Sequence, residues 1–271
     1  MKVKANDISL HVHDAGSGTP IVFVHGFPLS HAMWHEQLSD LASDFRVIAP
    51  DLRGFGDSDV TAGIVLMDTF ADDLAAILSQ IGIDRTQKIV LCGLSMGGYI
   101  AWQFVRKYSD RLLGLIQCDT RALPDTPAGI ASRRKLAATV LKHGTEPVAA
   151  MMLPNLFSPV TNETRQQVVE LTRQCLLATS PEGIAAAALG MAARTDATGD
   201  LPAIRIPSLL IVGEHDPIST VEEMQSIASA MPNAKLAVIP AAGHLSPLEN
   251  PVPVNRAIRE FVAGLESAGT S

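Results

Sequence analysis

The fold is decided by residues 88–102, which read KIVLCGLSMGGYIAW. The run 88–92 is almost wholly apolar, as expected of a buried strand, and 98–102 has the composition of a helix start. Between them lies the G-x-S-x-G motif Gly93-Leu94-Ser95-Met96-Gly97. The sequence therefore predicts a strand that turns sharply into a helix, with Ser95 at the turn.

This turn has the features of a nucleophile elbow, in which a serine is exposed at the tip of a strand–turn–helix unit. Such a reversal forces the central residue into a sparsely populated backbone conformation. Gly93 and Gly97 carry no side chains that would block the close approach of strand and helix. The Met96 amide and the positive end of the helix lie beside Ser95, where they can stabilise an oxyanion. The alternative is an ordinary glycine-rich turn with a surface serine.

Strands and helices alternate on both sides of this motif. Apolar or alternating runs predict further strands at 8–13, 21–24, 46–49, 112–116, 208–212 and 235–239. Helical spacing of apolar residues predicts helices at 31–41, 69–81, 221–231 and 254–265. Because apolar strands alternate with amphipathic helices, the sequence predicts an α/β protein with a parallel sheet covered on both faces.

Residues 121–200 interrupt this alternation. No strand-like run occurs there, and the helical segments are separated by prolines at positions 124, 127, 147, 154, 159 and 181. We predict a helical insertion over the carboxyl ends of the strands, where open α/β sheets bind ligands. The predicted domains are a core of residues 1–120 and 201–271 and a cap, or lid, of residues 121–200. Cap residues such as Met151 and Met191 predict an apolar pocket. The alternative is a packing subdomain that does not touch substrate.

A serine hydroxyl needs a base to accept its proton and an acid to orient that base. His244 follows the last predicted strand and Asp216 follows the strand before it, so both are expected at the same sheet edge as Ser95. The chain order serine, aspartate, histidine is the one expected of an elbow serine. Asp119, at the end of an earlier strand, is an alternative acid, although we favour Asp216. His215 is a weaker candidate for the base, because it shares a loop with Asp216 and could hardly be oriented by it.

An oxyanion hole requires two amide donors. The Met96 amide is one, and the Phe27 amide is the predicted second, because its loop follows the strand at 21–24. Pro28 fixes that loop without removing the donor. His25 is expected to hydrogen-bond the loop and to do no chemistry. Asp51 is expected to hold the turn that follows it.

The remaining histidines are not assigned to a metal site. His31 and His35 have the i, i+4 spacing that can bind a metal on a helix, but no third ligand with suitable spacing stands near them. A solvated helix face is therefore expected. His11 and His13 share a strand face and are interpreted in the same way. The sequence predicts neither a metal nor an organic cofactor.

Composition excludes several classes of protein. The 271 residues are 47% hydrophobic and 18% charged, which predicts a sizeable folded core. The net charge of −7 argues against a nucleic acid or an anionic membrane as partner. No signal-peptide pattern or membrane-length apolar stretch is present in the sequence. Cys92, Cys118 and Cys175 are odd in number and scattered, as expected of free thiols, and we predict a cytoplasmic protein.

Five motifs together resemble the α/β-hydrolase fold superfamily. They are HGFP at 25–28, GFGDS at 54–58, GLSMGG at 93–98, GEHDP at 213–217 and GHLSPLENP at 243–251. The resemblance covers nearly the whole chain. It implies a mostly parallel eight-stranded sheet flanked by helices, with a helical cap inserted after the sixth strand. Haloalkane dehalogenases and epoxide hydrolases use aspartate where this chain has Ser95, so their reactions are not expected.

Within the superfamily, the last motif is similar to that of the esterase, 3-oxoadipate enol-lactonase and cofactor-free perhydrolase group. This resemblance implies a serine carboxylesterase that cleaves small to medium acyl esters or lactones through an acyl-enzyme. Its triad would be Ser95, His244 and Asp216, with the Phe27 and Met96 amides as the oxyanion hole. The expected partner is a small apolar ester or lactone, and the oligomeric state stays open.

Three other functions fit the same motifs. One is hydrolysis of carbon–carbon bonds in dienoic ring-cleavage products, which uses the same triad. Another is perhydrolysis, suggested by Pro28, and the third is a non-enzymatic ligand receptor that keeps the triad. Arg121 and Arg194 could bind the carboxylate of an enol-lactone, but we expect both at the surface.

Overall fold

Eight strands form one sheet in the computed structural model, which describes residues 1–269 of the chain. They are β1 (Lys2–Ala5), β2 (Ile8–Ala15), β3 (Pro20–Val24), β4 (Arg46–Pro50), β5 (Ile89–Leu94), β6 (Leu112–Cys118), β7 (Ser208–Gly213) and β8 (Ala234–Ile239). Their order across the sheet is β1-β2-β4-β3-β5-β6-β7-β8. β2 is antiparallel to both β1 and β4, and all other neighbouring pairs are parallel. The predicted, mostly parallel eight-stranded sheet is confirmed.

β1 is the strand that the residue pattern did not reveal. It has four residues, too few to give a periodic signal, and it lies at the edge of the sheet. Lys2 and Lys4 are exposed, while Ala5 packs inward opposite Ile8 of β2. Lysine on an edge strand discourages pairing with another chain.

Helices flank the sheet and follow most of its strands. The α-helices of the described residues are α1 (His35–Leu41), α2 (Met67–Gln80), α3 (Met96–Tyr108), α4 (Pro127–His143), α5 (Glu146–Met152), α6 (Pro159–Thr164), α7 (Gln166–Ala178), α8 (Pro181–Ala192), α9 (Val221–Ala230), α10 (Ser246–Glu249) and α11 (Pro251–Gly269). Short 3₁₀ helices occupy His31–Trp34, Ser109–Arg111, Leu153–Asn155 and Leu201–Ala203.

The predicted helices at 69–81 and 221–231 differ from the observed ones by one or two residues at an end, and the other two differ more. The helix predicted at 31–41 begins as a 3₁₀ turn, because the Ser30 side chain accepts a hydrogen bond from the Ala32 amide and caps it. The helix predicted at 254–265 begins earlier, at Pro251, where proline fits the first helical turn.

The central strands bury side chains on both faces of the sheet. In β3, Ile21 and Phe23 belong to the core that includes α1 and α11, whereas Val22 and Val24 belong to the core that includes α2, α3 and α9. Successive residues of a strand point to opposite faces, so a strand covered on both sides must be apolar throughout. This accounts for the uninterrupted apolar runs in the sequence.

The helical segment between β6 and β7 contains α4–α8, and no strand occurs in it where the structure describes the chain. It contacts loops that follow three different strands. Thr179 Oγ1 donates a hydrogen bond of 3.0 Å to the Pro28 carbonyl, after β3. A Cβ on Gly183 would lie 2.0 Å from the Gly54 carbonyl oxygen, after β4. The amide of Leu245, after β8, donates to the Leu156 carbonyl at 3.2 Å. The segment therefore lies against the carboxyl edge of the sheet.

No single helix among residues 1–269 is long and apolar enough to cross a membrane. The pair α7 and α8 reaches the required length and composition only when the two are counted together, and they meet at 96°.

Candidate active site

Ser95 occupies the sharp turn between β5 and α3. Its φ of 53° and ψ of −110° are strained for a residue with a side chain. Steric crowding explains why glycines flank Ser95. A Cβ on Gly93 would lie 2.4 Å from the Gly97 carbonyl oxygen, and a Cβ on Gly97 would lie 2.3 Å from the Val24 carbonyl oxygen. Strand and helix could not approach this closely with larger residues, so the strained turn holds the serine at the tip of β5.

The structure brings Ser95, His244 and Asp216 together in one hydrogen-bonded chain. His244 Nε2 lies 2.9 Å from Ser95 Oγ, and His244 Nδ1 lies 2.9 Å from Asp216 Oδ2. The side chains of His244 and Asp216 are buried, whereas Ser95 is half-buried. Because a carboxylate only accepts, Nδ1 carries the proton and Nε2 is left with a lone pair directed at the serine hydroxyl.

Asp216 is held as an anion by its own loop. Oδ1 accepts hydrogen bonds from the amides of Ile218 and Ser219, at 2.7 and 3.1 Å, and Oδ2 accepts from Ser219 Oγ at 2.6 Å. Burial alone would raise the pKa of Asp216, but the interaction with His244 and the hydrogen bonds from Ser219 and the Ile218 amide lower it below its ordinary value. The sequence-based reasoning missed Ser219; an aspartate followed by serine three residues later is a signal for this local hydrogen bonding.

Asp119, the alternative acid, makes no hydrogen bond to His244 in the described structure. It follows β6 with a φ of 45°, and it is fully buried. Its Oδ1 accepts from the Gly213 amide at 2.8 Å, and its Oδ2 lies 2.5 Å from Ser246 Oγ. Burial, and then the nearby charge of Asp216, raise the pKa of Asp119 well above its ordinary value. Asp119 therefore ties together the strands and loops that carry Asp216 and His244.

The Phe27 and Met96 amides lie on the two backbone segments next to Ser95. Met96 is the first residue of α3, and a Cβ on Gly26 would lie 3.6 Å from Ser95 Cβ. Neither amide has a hydrogen-bond acceptor within the described residues. Free amide donors beside a serine hydroxyl are suited to bind a carbonyl oxygen that becomes negative.

The loop that carries Phe27 is fixed by a buried, neutral histidine. His25 Nδ1 donates to the Gly26 carbonyl at 3.0 Å, and Nε2 accepts from the Leu52 amide at 3.1 Å. Burial lowers the pKa of His25 to about 4. His25 thus hydrogen-bonds the loop, as predicted from the sequence.

Asp51 has the predicted role in its turn and a further one that was not predicted. Its Oδ2 accepts from the Asp57 amide at 3.0 Å, which holds the turn. Its Oδ1 also accepts from the amide and from Nδ1 of His31, at 2.8 and 2.7 Å, and Oδ2 lies 3.0 Å from His11 Nδ1. The expectation of a solvated face holds for His35, which is exposed, and only in part for His31, which is half-buried and hydrogen-bonded to this buried carboxylate.

These three residues form the His11–His31–Asp51 cluster, in which each residue has one potential metal-ligating atom within 4.8 Å of the others. His13 shares the strand face with His11, and its ring stacks at 6.1 Å on that of His31.

Arg121 and Arg194 are both engaged within the protein. Arg121 binds Glu223 through Nε at 2.8 Å. Arg194 pairs with Asp125 at 2.8 Å and stacks over the Tyr99 ring, 4.2 Å from its centroid. The surface position expected for Arg194 is wrong, because these two partners bury its guanidinium.

Comparisons with known proteins agree with this architecture. The solved structure of a thermophilic esterase from Thermogutta terrifontis has a TM-score of 0.95 and 48% identity, and the match covers 98% of each chain. The bromoperoxidase structure from Bacillus anthracis has a TM-score of 0.83 and 25% identity over 94% of this chain and 96% of that one. The 3-oxoadipate enol-lactonase 2 of Acinetobacter baylyi is 27% identical, with 94% of this chain and 93% of the relative covered.

The sequence model of the alpha/beta hydrolase fold matches residues 19–251, which include β3 to β8 and all the residues discussed around Ser95. The chain therefore belongs to the α/β-hydrolase fold family.

Proposed function

We propose that this protein is a serine carboxylesterase that cleaves small to medium acyl esters or lactones. The observation that carries the proposal is the chain of two 2.9 Å contacts, from Ser95 Oγ to His244 Nε2 and from His244 Nδ1 to Asp216 Oδ2. This arrangement gives the serine a base with the correct tautomer and gives the base a buried counter-charge.

In the proposed reaction, His244 Nε2 takes the proton of Ser95 as Oγ attacks the ester carbonyl. The amides of Phe27 and Met96 stabilise the negative oxygen of the tetrahedral intermediate. His244 then returns the proton to the leaving alcohol, which leaves an acyl group on Ser95. Water, deprotonated by the same nitrogen, attacks the acyl-enzyme and releases the acid. Every step uses groups of this chain, and no cofactor enters the scheme.

We propose that residues 121–200 act as a cap that shapes the substrate pocket. The segment reaches the oxyanion loop through Thr179 and Pro28, and it reaches the His244 loop through Leu156 and Leu245. Substrate that enters between the cap and the sheet edge would meet both loops. The relatives described as an esterase and an enol-lactonase support esters and lactones as the substrate class.

Perhydrolysis is a second candidate, and two observations favour it. Pro28 lies in the loop that carries the Phe27 amide, and a bromoperoxidase is among the similar structures. The same acyl-enzyme would be attacked by hydrogen peroxide instead of water. Peracid formed from acetate and hydrogen peroxide would support this activity, and its absence would dismiss it.

A cytoplasmic location is part of the same proposal. Cys92 and Cys118 lie in the core as free thiols with their sulfurs 3.9 Å apart, which suits a reducing compartment.

The test is hydrolysis of p-nitrophenyl acetate, butyrate, octanoate and laurate by the wild type and by Ser95→Ala. We expect turnover that peaks at short or middle chains and a loss of roughly 10⁵–10⁶-fold in the variant. Ser226→Ala, which removes an exposed hydroxyl on α9, is the matched control and should keep the wild-type rate. Wild-type rates in Ser95→Ala would refute the proposal. No turnover by the wild type would favour ring-cleavage ketoacids as substrates or a receptor role.

A further inference from the structure

The His11–His31–Asp51 cluster lies outside the proposed catalytic machinery and has an unusual charge balance. The Asp51 side chain is fully buried, and its ion-pair partners in the described part of the chain are two imidazoles; neither lysine nor arginine is among them. Buried carboxylates are generally paired with a permanent cation or bound to a metal. Here an imidazole contacts each carboxylate oxygen and no permanent cation does, so a metal ion would supply the fixed positive charge that the carboxylate lacks.

The geometry suits a metal of the zinc class. Imidazole nitrogens and carboxylate oxygens are ligands that Zn²⁺ prefers, at about 2.0–2.2 Å from the metal. In a tetrahedral site of that size, two ligand atoms lie roughly 3.3–3.5 Å apart. The Nδ1 atoms of His11 and His31 lie 3.0 and 2.7 Å from the carboxylate oxygens, so small side-chain movements would open the cluster enough.

A metal can also reach the cluster from solvent. The side chains of His11 and His31 are 22% and 24% exposed, although Asp51 beneath them is not exposed. The outer face would leave a coordination position to water. A site with three protein ligands and an open position is common for Zn²⁺.

We propose that His11, His31 and Asp51 form a binding site for a divalent transition metal ion, of which Zn²⁺ is the best fit. The ligands are Nδ1 of each histidine and the Asp51 carboxylate. On binding, each imidazole holds its proton on Nε2 instead of Nδ1, and the two N–H···O hydrogen bonds to Asp51 are replaced by metal bonds. The exchange requires no oxidant or other reactant.

The site is connected to the oxyanion loop, the segment that begins at His25 and ends at Ser30. At the end of this loop, His31 follows Ser30, and the His31 amide donates a hydrogen bond of 2.8 Å to Asp51 Oδ1. At the beginning of the loop, His25 Nε2 accepts a hydrogen bond from the amide of Leu52, the residue that follows Asp51 in the chain. A metal that moves the carboxylate and the imidazoles apart to the spacing of coordinated ligands disturbs the first of these contacts. Metal binding is therefore expected to slow ester hydrolysis, a second readout that rests on the proposed function.

The test measures binding directly on the chelator-treated full chain. Isothermal titration with ZnCl₂ should give one ion per chain, and titration with Co²⁺ should give the visible absorption bands of a nitrogen- and oxygen-ligated ion. His11→Gln removes a ligand from a half-exposed strand position and should weaken Zn²⁺ binding by about tenfold or more. His35→Gln, which changes an exposed histidine near the cluster, is the matched control and should leave binding unchanged.

Circular dichroism and the melting temperature establish that each variant is folded. Absence of Zn²⁺ binding by the folded wild type would overturn the proposal. Binding that is unchanged in His11→Gln would also overturn it, because the ion would then lie elsewhere, such as at His244. If Zn²⁺ binds as expected but hydrolysis is unaffected, the site stands and only its link to the oxyanion loop fails.

Discussion

Ser219 Oγ donates a hydrogen bond of 2.6 Å to Asp216 Oδ2, the same carboxylate oxygen that lies 2.9 Å from His244 Nδ1. Both donors therefore share one oxygen, and Ser219 fixes the position of that oxygen under the imidazole. Ser219 Oγ is itself 3.4 Å from His244 Nδ1. The orientation of the proposed base depends on this serine as well as on the acid.

Ser219→Ala should lower kcat for p-nitrophenyl butyrate by about tenfold, because a hydrogen bond to a charged group contributes roughly 1.5–3 kcal/mol and only part of it acts on the reaction. KM should change little, since Ser219 is buried below the imidazole. Steady-state kinetics measure both values, with Ser226→Ala as the control. An unchanged kcat would show that the hydrogen bond from Ser219 is not required for Asp216 to orient His244.

A pair of isosteric variants separates the two candidate acids. Asp216→Asn should reduce kcat by about 10⁴-fold, because an amide cannot fix the required tautomer of His244. Asp119→Asn should lower kcat by less than about tenfold, because Asp119 bonds Gly213 and Ser246 and, within the described residues, does not contact His244. An asparagine there can still accept from Gly213 and donate to Ser246. The reverse ranking would identify Asp119 as the acid.

Gly93→Ala should destabilise the fold and abolish ester hydrolysis. Its new Cβ would meet backbone, the Gly97 carbonyl oxygen at 2.4 Å, and backbone cannot rotate away as a side chain can. We expect a loss of roughly 2–3 kcal/mol in the free energy of unfolding, measured by urea denaturation. Gly264→Ala is the control: it is an exposed position of α11 with no atom near the added carbon, and a gain of up to about 1 kcal/mol is expected there. Equal effects of the two variants would contradict the steric account of the elbow.

His25 predicts a specific pH dependence of stability. Its pKa is about 4 in the fold, against 6.5 ordinarily. Between these values the unfolded chain binds more protons than the folded one, so stability falls as the pH drops from 6.5 toward 4. The contribution of His25 is at most about 3.4 kcal/mol, because one pKa unit corresponds to about 1.4 kcal/mol.

Urea denaturation at several pH values should therefore show a smaller loss of stability for His25→Gln than for the wild type across that range. The glutamine oxygen can still accept from the Leu52 amide, so the variant keeps the contact but cannot titrate. Parallel curves for the two proteins would mean that His25 is not the neutral, buried group described above.

The elbow and the sheet could be predicted because their signals are local. A buried strand must be apolar over several consecutive residues, and the G-x-S-x-G spacing follows from one tight turn. The proximity of Ser95, Asp216 and His244 also follows from the chain, since each comes directly after a strand of the same parallel sheet and carboxyl ends meet at one edge. Their catalytic roles remain predictions.

Other features depend on contacts that no local pattern encodes. Asp51 meets His11 and His31 across 40 and 20 residues of sequence, and only the pairing of β2 with β4 brings His11 and Asp51 together. Arg194 was expected at the surface because arginine side chains are usually exposed. Its burial depends on Asp125 and Tyr99, which lie in other elements.

The most direct test of the central claim is covalent labelling of the nucleophile. The wild type is treated with a fluorophosphonate, and its intact mass and peptide map are recorded as ester hydrolysis declines. We predict one adduct per chain, on the peptide that contains Ser95, with a yield that rises as activity is lost; Ser95→Ala should stay unlabelled. Activity that is lost with no adduct at Ser95, or an adduct at Ser95 with hydrolysis intact, would contradict the assignment of Ser95 as the nucleophile.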